Sequence, residues 1–379
     1  MKYRKFGKLD FDVSALGMGC MRLPTTDGIG YSPNVIEDSS IKIIRHAIDK
    51  GINYVDTGYP YHGGNSEIIL GKALKGGYRQ KVKVATKSPI MMVRKPEDFD
   101  NFLNEQLKRL QLDHIDFYLL HGIGRNSWKA IREMDIIGKA EAAIKDGRIG
   151  HLGFSFHDDH DAFVEIIDGY DKWEFCQIQY NYMDTENQAG TKGLKYAASK
   201  GLATIIMEPL LGGRLARPPK PVLEIFNGYP KKLSPAEWAF QWVWSRPEAT
   251  LILSGMGSME QVDENVSSAE SSKVDLLTKD DLEMIAKVKA KFLERAVIPC
   301  TKCNYCMPCP NGVNIPGNLE LYNNSVIYDD VNALKVIYLR FFNERSRASA
   351  CTACKECELK CPQNIKISEW MPAIHDKLK

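Results

Sequence analysis

Between residue 13 and about residue 270, short runs rich in Val, Ile and Leu alternate with longer segments of helical periodicity. That alternation requires parallel strands, because each strand must be returned to the same edge by a crossover helix. Eight strands are expected, at 13–18, 54–56, 82–86, 117–120, 151–154, 176–179, 203–207 and 250–253. Helices are expected between them, including 39–50, 99–110, 136–146 and 191–200, and residues 1–12 read as a hairpin plugging one end. Eight units in about 260 residues fit a closed α/β barrel of the (β/α)8 type. An open doubly wound sheet would be announced by a Gly-rich turn after its first strand, and Gly17-Met18-Gly19 lacks that spacing.

A parallel barrel places its chemistry on the loops that follow the C-terminal ends of its strands. Asp56-Thr57-Gly58-Tyr59-Pro60-Tyr61 follows the second strand, Thr86-Lys87 ends the third, His121 ends the fourth, and Ser155 and His157 follow the fifth. Taken alone, each has a bland explanation, since an isolated Lys is usually a solvated cation and an isolated Asp a cap. Together, Asp56, Tyr61, Lys87 and His121 resemble the catalytic tetrad of the aldo-keto reductases in type, order and spacing. The likeness continues through Asn65-Ser66-Glu67 and Gln177-Ile178-Gln179-Tyr180-Asn181, and it covers residues 1 to about 270.

That resemblance implies an NAD(P)H cofactor held by Gly19, Cys20, Met21, Ser155, Gln177, Met207, Pro209, Leu210, Gly255, Gly257, Gln261 and Asn265. His157 is a further candidate contact. The family often stacks an aromatic ring where Met207 stands here, and a cation often grips the NADP 2′-phosphate in the loop after the eighth strand, where this chain has Gly255, Met256 and Gln261. NADP and NAD both remain open.

Reducing a carbonyl needs hydride at carbon and a proton at oxygen. In the implied roles Tyr61 is the acid, Lys87 eases its proton transfer and Asp56 holds Lys87, while His121 orients the substrate oxygen. Tyr59 competes with Tyr61 for the acid role. Cys20 and His157 also have structural readings, and Cys176 is assigned to packing.

Only two of the ten cysteines precede Pro299. Cys300, Cys303, Cys306 and Cys309 end in Pro310, and Cys351, Cys354, Cys357 and Cys361 end in Pro362. Disulfide frameworks belong to small secreted chains, so metal ligation is the better reading. Zinc is the competing ion, but a four-thiolate zinc site leaves much of each run unexplained. The second run matches the spacing of bacterial ferredoxins, and the first is one residue short before its last Cys. The ferredoxin resemblance implies two 4Fe-4S clusters, one on Cys300, Cys303, Cys306 and Cys361, the other on Cys351, Cys354, Cys357 and Cys309. An amphipathic helix at 278–294 precedes a short linker, and 317–347 reads as helical filler. The expected domains are a barrel at 1–295 and a helical ferredoxin-like domain at 296–379, so the whole chain resembles the ferredoxin-fused branch of the aldo-keto reductases.

A formal charge of +2 with scattered basic residues gives no footprint for nucleic acid. Residues 1–12 lack the apolar run of a signal peptide and no run reaches the roughly 20 residues of a membrane span, so a cytoplasmic location is expected. The expected activity is reduction of a small aldehyde or ketone, or the reverse alcohol oxidation. One hypothesis has the clusters relay electrons between an external ferredoxin or flavoprotein and a flavin in the barrel. Another makes the chain a redox sensor or electron-transfer subunit with little turnover, and a third has the clusters only staple a lid. Substrate choice falls to the motif-free loops 21–34, 123–135 and 211–232.

Overall fold

The computed structural model describes residues 1–379, and the chain divides into two compact units, residues 1–212 with 236–278 and residues 213–235 with 279–379.

The first unit opens with a hairpin in which β1 (Tyr3–Lys5) pairs antiparallel with β2 (Asp12–Ser14). Eight parallel strands follow: β3 (Leu16–Gly19), β4 (Tyr54–Asp56), β5 (Lys83–Ser88), β6 (Ile115–Ile123), β7 (Ile149–Phe156), β8 (Phe175–Gln179), β9 (Ala203–Met207) and β10 (Leu251–Ser254). Pairing of β10 with β3 closes the expected barrel. The strand expected at 13–18 divides in two. Val13 pairs with Arg4 in the hairpin, and the barrel strand begins at Leu16.

The division has a packing cause. Phe6 and Val13 bury completely in one apolar cluster with Tyr54, Phe117, Phe175, Ala203 and Leu251, which lie at or near the starts of their strands. The Phe6 ring centre lies 4.6 Å from that of Phe117 and 5.7 Å from that of Phe175. The hairpin therefore floors the barrel, and β2 ends where the chain turns into the wall.

Helices α1 (Glu37–Asp49), α2 (Asn65–Ala73), α3 (Glu97–Leu110), α4 (Arg125–Glu133), α5 (Ile136–Lys145), α6 (His160–Asp168) and α7 (Gly190–Ser199) connect the strands up to β9. In α3 the apolar spacing buries Phe99, Leu103, Leu107 and Leu110 on one face. Acidic residues fill its first turn and Lys108 and Arg109 its last, which complements the helix dipole, and Gln111 ends it in the left-handed conformation. After β9 come α8 (Lys220–Gly228) and α9 (Pro235–Trp244), and α10 (Met259–Glu270) follows β10.

In the second unit α8 packs on α11 (Lys279–Leu293), and the Tyr229 hydroxyl donates to Asp281 at 2.9 Å. The expected helical filler resolves into α12 (Ile315–Ile327) and α13 (Val331–Phe341), the second capped by the Asp330 side chain. A short α14 (Glu356–Leu359) and a final α15 (Ile367–Leu378) complete the unit. Its core joins Ile298, Val313, Leu319, Leu334, Ile365 and Met371. No helix is long and apolar enough to cross a membrane.

Candidate functional site

Asp56 closes β4, Lys87 lies near the end of β5 and His121 near the end of β6, so one rim of the barrel collects all three. Tyr61 opens a 3-10 turn just after β4. The Lys87 ammonium is fully buried and donates to Asp56 at 2.5 Å and to the Thr57 carbonyl at 2.7 Å. It also sits 4.8 Å from the centre of the Tyr61 ring, and that ring meets His121 edge-on at 5.8 Å. The four residues expected together are together.

Their electrostatics follow from burial. Desolvation alone would lower the Lys87 pKa, but Asp56 and Tyr61 outweigh it and hold the amine above the ordinary lysine value. Burial pushes the Tyr61 phenol up; Lys87 pulls it back and Asp56 adds to the rise, so the net direction is upward. Desolvation of the anion thus exceeds the pull of one paired cation. Burial, helped by Lys87 and His157, pushes His121 down to about 3, which leaves its imidazole neutral near pH 7.

The rim is braced by residues distant in sequence. Glu67 on α2 is fully buried and accepts from Thr86 at 2.7 Å, Gln106 at 2.7 Å and Arg109 at 3.3 Å. Gln106 also donates to the Lys87 carbonyl at 3.1 Å, so this network fixes the strand that carries the lysine. Ser66 donates to the Cys20 carbonyl at 2.8 Å. His62, fully buried, accepts from the Leu23 amide at 3.2 Å and bonds the Ser32 carbonyl at 2.7 Å, fastening the loop after β3 to the turn that carries Tyr61. Sequence reading passed over Gln106, Arg109 and His62. The signal was a His in the turn next to the candidate acid, at a position needing positive φ.

The other candidates separate by environment. The Tyr59 hydroxyl donates to Glu105 at 2.8 Å and its ring lies under Arg109, which takes its phenol out of competition with Tyr61. Gly19 pairs beside Asp56, and burial pushes the Cys20 thiol far up, so it is a packed, unreactive side chain. Cys176 is likewise fully buried, and desolvation pushes it up to about 12. Ser155 and Gln177 stand side by side on β7 and β8; Ser155 accepts from the Gly122 amide at 2.8 Å, while the buried Gln177 Oε1 has no partner. An orphaned amide oxygen at the rim suits the carboxamide N–H of a nicotinamide. Met21, Met207 and Leu210 are half-buried, Pro209 is buried and His157 is exposed. Gln261 accepts from the Gly257 amide at 2.8 Å and Asn265 donates to Ser254 at 3.2 Å, so both brace the loop around Gly255.

In the second unit Cys300, Cys303, Cys306 and Cys361 line one concavity with Pro316, Leu319, Ile365 and Ile367. A zinc site formed within the first run alone would have left Cys361 out. Cys351 and Cys354 are the thiols acting electrostatically on Cys357. The two runs also share a backbone pattern. Lys302 and Asn304 flank Cys303 with positive φ, and Ala353 and Lys355 flank Cys354 in the same way. Such left-handed residues turn successive amides inward and make an anion-binding nest, and the Ala353 amide donates to Cys351 Sγ at 3.4 Å. The pattern extends to Gly312 and Asn364, each left-handed three residues after its Cys-Pro corner, and then to the buried starts of α12 and α15. An amide-lined thiolate cradle suits an anionic iron-sulfur cluster.

Comparison with known proteins gives two adjoining matches, the Aldo/keto reductase family over residues 15–290 and a 4Fe-4S dicluster domain over 299–365. The L-galactose dehydrogenase of Arabidopsis thaliana is 30% identical over 314 residues, covering 75% of this chain and 94% of that protein. An aldo-keto reductase from Bacillus halodurans, in its holo form, superposes with a TM-score of 0.62 at 26% identity over 76% of this chain and 96% of its own. An aldo-keto reductase from Klebsiella pneumoniae in complex with NADPH has the same fold, with a TM-score of 0.60 at 22% identity over 76% and 95%.

Proposed function

Because the chain belongs to the aldo/keto reductase family and carries a C-terminal 4Fe-4S dicluster domain, we propose that it reduces an aldehyde or ketone to the alcohol, or runs the reverse, with a nicotinamide dinucleotide. One observation carries this reading: a protonated phenol, a buried ammonium and a neutral imidazole converge at one barrel mouth. When bound, the dinucleotide supplies the hydride. Ser155, Gln177 and the loop around Gly255 would hold it.

The chain's own residues manage the proton. Tyr61, held protonated by burial, gives its proton to the carbonyl oxygen, and Lys87 stabilises the phenolate left behind. Asp56 keeps the ammonium charged and oriented. Neutral His121 directs the substrate oxygen toward the phenol without competing as an acid. Replacing Tyr61 with Phe should lower aldehyde reduction by about 10²- to 10⁴-fold while leaving stability near the parent's. Equal rates in the two proteins would remove Tyr61 from the reaction.

Cys300, Cys303, Cys306 and Cys361 would ligate one cluster, and Cys351, Cys354, Cys357 and Cys309 the other. Cys303 and Cys354 are exposed, which favours electron exchange with an external ferredoxin or flavoprotein over a purely structural staple. Dithionite-reduced protein should be reoxidised by such a partner within seconds of mixing, and clusters that stay reduced would favour the staple.

A further inference from the structure

We propose that Arg22 forms an anion seat at the barrel rim, and that the carbonyl substrate carries a carboxylate or similar oxyanion which this guanidinium holds. The inference rests on the reductase reading above and narrows its substrate class.

Arg22 belongs to the loop after β3 and is tied to the reacting residues on both sides. Two residues earlier, the Cys20 amide donates to the Asp56 carbonyl at 2.8 Å. One residue later, the Leu23 amide is held by His62, the neighbour of Tyr61. Its stem lies against Gly255, where any Cβ would stand 3.1 Å from the Arg22 Cβ, so a side chain at 255 would push the arginine away. The guanidinium then reaches over the Tyr31 ring at 5.2 Å, with the Tyr31 hydroxyl 3.5 Å from Nη2.

No carboxylate of the described chain pairs with it. Asp27, the acid in the same loop, is occupied by Ser32 at 2.6 Å, Asn34 at 3.1 Å and the Ile29 amide at 3.0 Å. Asp263 on α10 is occupied by His46 and Lys50. A half-buried guanidinium without a counter-charge is unusual, because its fork of donors matches a carboxylate or phosphate in two parallel bonds. Tyr31 holds a positive φ of 69°, a conformation that side chains other than glycine seldom adopt, and it acts electrostatically on Tyr61. A substrate could therefore place its carbonyl at Tyr61 and its anionic end at Arg22 within one mouth. A dinucleotide phosphate offers the same chemistry, and the experiment separates the two.

Turnover of 4-oxobutanoate is compared with that of butanal in the parent, Arg22→Gln and Arg22→Lys, alongside NADPH affinity by fluorescence titration and glutarate binding by calorimetry. The parent should favour 4-oxobutanoate by about tenfold or more in kcat/KM. Arg22→Gln should bring that ratio near one and Arg22→Lys should keep part of it, with the NADPH dissociation constant unchanged in both. Glutarate should bind the parent about tenfold tighter than Arg22→Gln. A parent without preference, or an Arg22→Gln whose NADPH affinity falls while its selectivity holds, overturns the proposal; the latter assigns Arg22 to the cofactor phosphates. If neither aldehyde turns over but glutarate still separates the variants, the anion seat stands and the reductase reading falls.

Discussion

Replacing Lys87 with Met tests the centre of the site, because that ammonium serves both the fold and the proposed reaction. It lies 4.8 Å from the Tyr61 ring centre, and at an effective dielectric near 20 two unit charges at that separation attract by about 3.5 kcal/mol. Each ~1.4 kcal/mol of that attraction lost from the transition state is worth tenfold in rate. With the proton partly to fully transferred in the transition state, the rate of aldehyde reduction should fall between about 10- and 300-fold. Stability should fall as well, by about 3–5 kcal/mol, since Asp56 would be left buried beside a methyl group. The double change Asp56→Asn with Lys87→Met removes the stranded carboxylate and should recover much of the stability and none of the rate. Urea unfolding followed by tryptophan fluorescence reads the first quantity, and NADPH consumption with an aldehyde reads the second. A Lys87→Met enzyme within threefold of the parent, or a double variant whose activity returns with its stability, would refute the reasoning.

Reduction should hold its rate through pH 9 and decline only above the ordinary phenol range, because burial raises Tyr61 and its acid form is the one required; a pH–rate profile checks this. Burial pushes His121 down to about 3 from its ordinary value near 6.5, so its neutral form contributes stability that is fully present above that ordinary value and is lost as pH falls toward 3. Urea midpoints of His121→Gln should therefore fall less steeply on acidification than those of the parent. Anaerobically prepared Cys309→Ser should lose one of two clusters, with iron dropping from about eight to about four atoms per chain, while Cys300, Cys303, Cys306 and Cys361 keep theirs. Phe6→Ala should cost about 3–5 kcal/mol in urea unfolding, because its fully buried ring packs against Phe117 and Phe175 and its loss leaves a cavity in the barrel floor.

The barrel was legible because its strands are buried on both faces and read as apolar runs, and Asp56, Lys87 and His121 then fall at strand ends by counting alone. The cysteine runs were legible for the same local reason. The residues that hold the rim were not. Glu67 meets Gln106 and Arg109 across roughly 40 positions, and only the closure of α2 against α3 makes them neighbours. The significance of Arg22 depends on a glycine more than 200 positions away. The first strand was misplaced because Val13 is apolar for the sake of the floor, and a sequence does not say which end of a barrel a valine faces. Residues 213–235 join the second unit through α8 and α11, a pairing that helical periodicity does not announce.

The hairpin under the barrel has a kinetic consequence. With Phe6 and Val13 packed into the lower end, a ligand can reach Tyr61 only across the rim at the C-terminal ends of the strands. Under the proposed reaction, alcohol and incoming aldehyde share that opening, so added alcohol should inhibit competitively with respect to the aldehyde, which initial-rate measurements check.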